Sequence, residues 1–314
     1  MSPKRDEDYH IRDYQPGDEA AIVTLFEIVF GTRLTEEQWR WKYISAVPEP
    51  PAKLAFNTAG QLIGFAGAVS LRGWRKGRPI PFFQICDVMV HPSARGHLGS
   101  RNVFTQLLKL LIADLAARYP CAFAYGFPGR RPFQLGEHSR VYGLIEAAYK
   151  TCCPAQKPRW SLVRTQALHW EDTRLGVLWA DLSSNLALSL IRDRAYLRWR
   201  YAKNPFHTYQ LIGFLFAGQL LGWAVIQPGE RLQIIDFLIS RRWFKSALTA
   251  LNRVAIDNHC TAMEIWLPKS WQGVAGVHTE KTEVRVANMM SPLLISTKEA
   301  QQSLYYTMGD LDIF

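Results

Sequence analysis

The chain has 314 residues, enough for two domains, and 48% of them are hydrophobic, so a sizeable core can form. Its formal net charge is +10, yet the basic residues are scattered and no nucleic-acid motif appears, which leaves an acidic surface or an anionic cofactor as the partner the charge serves. The polar start has no signal-peptide core, no apolar run reaches membrane-spanning length, and the five cysteines show no metal-ligand spacing, so a soluble protein of the reducing cytoplasm without a metal is expected.

In chain order, His10 to Tyr14 reads as a short strand. Gly17-Asp18 precedes a helix to about Phe30, with Ala21, Ile22, Leu25, Phe26 and Val29 as its apolar side. A second helix runs from Thr35 to about Ile44, and Thr35 with Gln38 resembles a capping box. Strands at Lys53–Asn57 and Leu62–Leu71 flank an Ala59-Gly60 turn. A solvated basic turn, with Arg72, Arg75, Lys76 and Arg78, leads into a strand ending at Val90. Apolar residues at Val103, Phe104, Leu107, Leu108, Leu111 and Leu115 then mark one face of a helix. A strand follows at Cys121 to Phe127, with Cys86 and Cys121 expected to be buried. Beyond it, a helix opening near Arg130 is expected to include Leu135, Glu137 and Tyr142.

Between the Val90 strand and its helix lies His91-Pro92-Ser93-Ala94-Arg95-Gly96-His97-Leu98-Gly99-Ser100. Unpaired N–H groups and a positive dipole end at a helix start suit a phosphate, and Arg95 adds charge. This strand, loop and helix resemble the pyrophosphate-binding motif of the GCN5-related N-acetyltransferases (GNAT). Leu98 and Ser100 depart from the family's small residues there. The order of elements over residues 8 to 150 also resembles that family. The resemblance implies acetyl-CoA as co-substrate, held by Val88, Met89, Val90, Arg95, Gly96, His97, Leu98, Gly99 and Ser100.

The second half echoes the first. Trp41-Lys42-Tyr43 recurs as Trp199-Arg200-Tyr201, and Gly60-Gln61-Leu62-Ile63-Gly64 as Gly218-Gln219-Leu220-Leu221-Gly222, both 158 positions on. The strand around Asp87 recurs around Asp236 with the spacing reduced to 149, as a shorter hairpin would give. A helix from Phe244 to Ile256 and a strand from Ala262 to Leu267 follow, but Ser240 to Lys245 has no glycine. The expected fold is α+β, with two tandem GNAT-like domains, each a mixed, mostly antiparallel sheet flanked by helices. The catalytic domain spans 1–150, a linker 151–182, and a degenerate copy 183–314.

Acyl transfer to an amine calls for a base, oxyanion donors and an acid for the leaving thiolate. The resemblance implies Tyr142 as that acid. Asp87, Glu137 and His138 are candidate bases; Asp87 can equally be structural, and His138 fits a solvated helix residue better. Tyr125 fits core packing better than the alternative of lining the acceptor site. The expected activity is transfer of an acetyl group to a primary amine of a small molecule, such as an amino sugar, bound in the cleft between the halves. Alternatives are an aminoacyl transferase acting on cell-wall precursors and a non-enzymatic acyl-CoA-binding protein. The apolar tail, Tyr305 to Phe314, is expected to dock as an edge strand. By resemblance to some two-part acetyltransferases, Asp310, Asp312 or the Phe314 carboxylate is a further candidate base.

Overall fold

The computed structural model describes residues 9–44, 49–96, 102–156, 160–271 and 279–311. The chain forms two compact units. Unit 1 takes Met1–Leu71, Ile80–Ile145 and Val286–Lys298; unit 2 takes Arg72–Pro79, Glu146–Arg285 and Glu299–Phe314.

Unit 1 begins with β1 (Tyr9–Asp13), α1 (Glu19–Phe30) and α2 (Glu36–Tyr43). The capping box that opens α2 forms as expected: Gln38 N–H donates to Thr35 Oγ1 at 3.2 Å, and Thr35 N–H to Gln38 Oε1 at 3.0 Å. β2 (Ala52–Asn57), β3 (Leu62–Arg75) and β4 (Arg78–Val90) follow. β1 pairs β2 and β2 pairs β3, both antiparallel. The β3–β4 turn is Lys76-Gly77, with φ of 46° and 88°, the left-handed pair that a two-residue hairpin requires. After α3 (Val103–Arg118), β5 (Phe123–Gly126) pairs parallel with β4. α4 (Arg130–His138) and the start of β6 (Tyr142–Pro154) complete the first segment.

The unit 1 core lies between the sheet and α3. Leu107, Leu108, Leu111 and Leu115 are fully buried against Ala55, Ala66, Phe83 and Ala124. Burying each such leucine is worth roughly 1.5–3 kcal/mol. The helix lies close to β3 because Gly64 has no side chain: a Cβ there would stand 2.6 Å from Val103 Cγ1. Cys121, expected to be buried, is exposed and left-handed at φ 67°, just before the strand.

Unit 2 contains β7 (Arg164–Ala167), α5 (Arg174–Ser183), β8 (Leu188–Leu190) and α6 (Arg194–Leu197). Next come β9 (Gln210–Phe216), β10 (Gln219–Gln227), β11 (Arg231–Ile239), α7 (Phe244–Asp257) and β12 (Ala262–Trp266). β9 and β10, then β10 and β11, pair antiparallel, whereas β11 and β12 pair parallel across α7. This repeats the succession β2-β3-β4-α3-β5 of unit 1, so the internal echo is a duplicated fold. The shorter second hairpin is also present: β10 and β11 have 9 residues each, against 14 and 13 in β3 and β4.

Three expectations are corrected. Residues 151–182 are not a linker: they hold the end of β6, then β7 and most of α5, all in unit 2. Second, β13 (Thr279–Met289) and α8 (Thr297–Ser303) do not belong to one copy alone, because residues 286–298 fall in unit 1. There Ala287 pairs with Gly126 and Asn288 with Tyr125. Third, the basic hairpin tip is not a free turn. It belongs to unit 2, where Arg72 pairs with Asp193 at 2.6 Å and Arg75 with Glu299 at 2.7 Å.

The tail docks, though not as an edge strand. Tyr305 to Leu311 are buried, and Met308–Asp310 form a 3-10 turn. Asp310 ion-pairs with Arg192, which also donates to Asp236 at 2.9 Å. Thr307 Oγ1 donates to Asp236 at 2.9 Å, and Arg200 donates to the carbonyls of Gly309 and Leu311. Burial pushes the Asp310 carboxyl up against the opposing pull of Arg192. Removing the cation from this site leaves two buried carboxylates unpaired. Arg192→Met is therefore expected to cost about 3–5 kcal/mol in urea denaturation. Gly309→Ala, whose Cβ would stand 2.0 Å from Tyr201 Oη, is expected to cost about 1–3 kcal/mol. Wild-type midpoints in both variants would refute this account of the tail.

Candidate functional site

The site in unit 1 begins where β4 leaves β5. Their paired residues are Phe82 with Phe123, Phe83 with Ala124, and Gln84 with Tyr125. β5 ends at Gly126, while β4 continues to Val90. Gly126 permits the last close approach, since a Cβ there would stand 3.0 Å from the Ile85 carbonyl oxygen. Past this point Asp87 takes a left-handed backbone, φ 49°. That conformation costs a non-glycine residue roughly 1–2 kcal/mol, with aspartate among the residues that tolerate it best.

Fixed side-chain bonds hold Asp87 there. Lys42 Nζ donates to both carboxylate oxygens at 2.9 Å, and Tyr43 Oη donates to Oδ2 at 2.8 Å. The side chains of Lys42 and Asp87 are 13% and 7% exposed. Neither Lys42 nor Tyr43 was expected at the site. The signal was in the sequence nonetheless, because both the Trp-Lys/Arg-Tyr motif and the strand aspartate recur. In unit 2, Tyr201 Oη donates to Asp236 Oδ2, also at 2.8 Å.

Beyond Val90, His91 Nδ1 accepts the Ser93 N–H at 3.2 Å and opens the 3-10 turn Pro92–Ala94. Arg95 Nε donates to the Val90 carbonyl at 2.9 Å, which ties this exposed arginine to the end of β4. Gly96 has φ 106°, a value only glycine takes readily, and a Cβ there would have no atom within 4 Å. His97, Leu98, Gly99 and Ser100 lie outside the described residues. Asn102 then caps α3 by accepting the Thr105 N–H at 2.8 Å. A glycine with open space, an arginine and a helix start suit an anionic group. In unit 2 the equivalent segment is a 3-10 turn, Arg241–Trp243, leading directly into α7 with Phe244 buried at its first residue.

Tyr142 is not helical. α4 ends at His138 because Arg140 is left-handed, φ 57°, and the Val141 N–H closes on the Gly136 carbonyl at 2.9 Å. Tyr142 then starts β6. Its ring stacks on Phe133 and meets Phe104, the second residue of α3, edge-on, both at 6.2 Å. Gly136 makes room for it, since a Cβ there would stand 2.2 Å from the ring. Burial pushes the Tyr142 hydroxyl pKa up, so it keeps its proton at neutral pH. Glu137 and His138 are exposed on α4. Tyr125 is buried among Phe82, Phe123 and Phe127, as core. Asp310 is held by Arg192 inside unit 2, and Asp312 and Phe314 lie outside the described residues.

The family model for an acetyltransferase (GNAT) domain matches residues 10–136. A search of curated proteins gave no match. Among solved structures, a GCN5-related N-acetyltransferase from Kribbella flavida aligns with a TM-score of 0.66 at 15% identity, over 90% of this chain and 70% of its own. A GCN5-related N-acetyltransferase from Anabaena variabilis aligns at 0.67 and 11% identity, over 90% and 72%. Saccharomyces cerevisiae N-myristoyltransferase with bound myristoyl-CoA aligns at 0.58 and 9% identity, over 93% and 82%. At these identities the structural likeness concerns the fold, two GNAT-like units in tandem. Residues 10–136 thus resemble a GNAT domain, and over the rest of the chain the likeness is one of fold.

Proposed function

We propose that this chain is an acyl-CoA-dependent N-acyltransferase that moves an acetyl group from acetyl-CoA to a primary amine of a small molecule. Unit 1 carries the reaction and unit 2 is a non-catalytic copy. The observation that carries this reading is the course of β4. It outruns β5 after Gln84 and ends on Arg95-Gly96, ahead of a capped helix. Backbone groups of Val88, Met89 and Val90 would hold the pantetheine arm, and the 95–100 loop the pyrophosphate. Bound acyl-CoA supplies the activated thioester. The protein's task is then to orient a neutral amine, hold the developing oxyanion and return a proton to the thiolate. Tyr142, buried beside Phe104 at the start of α3, is the proton donor proposed by the family resemblance. Glu137, exposed on α4, stays a candidate base. All five cysteines are free thiols, which suits the cytoplasm. Among the described residues no helix is long and apolar enough to cross a membrane.

The loop assignment predicts CoA binding measurable by titration calorimetry. Arg95→Glu is expected to weaken it about tenfold or more, the equivalent of about 1.4 kcal/mol, because an anion would face an anion. Unchanged affinity would refute the loop assignment. Running acetyl-CoA beside myristoyl-CoA in the same titration identifies the acyl group.

Tyr142→Phe keeps the ring packing and removes the proton. Acyl transfer, followed by free-thiol release against a panel of amines, is expected to fall roughly 100-fold or more with the unfolding midpoint nearly unchanged. Wild-type turnover in this variant would remove Tyr142 from the reaction.

A further inference from the structure

We infer that Lys42 and Tyr43 are positioning residues for acyl transfer, which they serve by clamping Asp87 and so fixing the path of β4. This rests on the acyltransferase reading of unit 1. Three observations carry it. Asp87 is left-handed at the place where β4 has just left its last pair with β5. Its carboxylate takes two bonds from Lys42 and one from Tyr43. Both donors come from the end of α2, so a helix outside the strand sets the strand's local course.

The two copies separate the general part of this device from the special part. The tyrosine-to-aspartate bond exists in both units at 2.8 Å. Unit 2 has no glycine loop, so that bond belongs to the fold. In unit 2, the residue equivalent to Lys42 is Arg200, which donates to Gly309 and Leu311 carbonyls, and Arg192 serves Asp236 instead. A lysine clamp from the helix, acting on a left-handed aspartate, is found in unit 1, the unit with the Arg95-Gly96 loop. With its carboxylate bonded to both donors of α2, Asp87 serves as an anchor.

The test combines exchange and kinetics on the full chain. In Lys42→Met and Asp87→Asn, amide hydrogen exchange at Val88, Met89 and Val90 is expected to quicken at least tenfold, while α3 keeps its protection. In acetyl transfer, both variants should lose about tenfold or more in kcat/KM for acetyl-CoA. Lys42→Arg, which keeps the charge, should restore most of it. The double variant should lose no more than the worse single one, because both break one clamp. Tyr43→Phe, the mildest change, should move the same amides. Unchanged exchange at 88–90 in Lys42→Met and Tyr43→Phe would overturn the clamp, whatever the enzyme does. Lost turnover in Asp87→Asn with unaltered exchange would make Asp87 a base and overturn it too. A chain that shows the exchange changes but neither binds CoA nor transfers an acyl group would keep the clamp and overturn its role in transfer together with the acyltransferase reading.

Discussion

A buried aspartate that accepts from a tyrosine, Tyr43 to Asp87 and Tyr201 to Asp236, is the constraint on which both units depend. Each bond ties the helical segment before the first repeated strand to the third strand of the same meander. A carboxylate in that position loses most of its hydration, so it needs a cation close by. The two copies meet that need differently. Unit 1 uses Lys42, one residue before the tyrosine. Unit 2 uses Arg192, fully buried, with Asp310 on its other side. The difference in cation explains why the tail is buried in unit 2. An arginine can serve two carboxylates through its fork of donors, whereas a lysine offers a single point charge.

The sequence was most legible where local chemistry decides the structure. The Thr35–Gln38 box, the α3 periodicity and the Gly60 turn are short-range effects, and they form as expected. The duplication was legible because its residues keep one register over 158 positions. The exchange of residues 286–298 into unit 1 was not, because strand pairing across such a separation leaves no local pattern. Residues 151–182 looked like a linker because the short β7 and α5 carry few periodic residues. The helix expected over Tyr142 stops at His138 because Arg140 turns left-handed, which nothing in Ser139-Arg140 announces.

At the site, the sequence marks a basic, glycine-bearing stretch, of which the described part has Arg95 bonded to the Val90 carbonyl and Gly96 at φ 106°. The partners of Asp87 were not. Lys42 and Asp87 are 45 positions apart, and only the recurrence of both halves of the contact hinted that they meet.

A duplicated fold also shows which features the fold itself demands. The tyrosine, the strand aspartate and the parallel β-α-β crossover survive in the copy without a glycine loop, so folding alone accounts for them. What unit 1 adds is a short inventory. It has a left-handed backbone at Asp87, a lysine from α2, an arginine tied to the last β4 carbonyl, and a glycine at φ 106°. One of these, the left-handed Asp87, is a backbone conformation that carries a cost, and folding of unit 2 shows that the meander does not require it. Strain kept at Asp87 in one copy and absent at the equivalent Asp236 accords with the proposal that unit 1 carries the chemistry. It also explains why the equivalent segment of unit 2 can run straight from a 3-10 turn into α7, with Phe244 filling the core at the helix start.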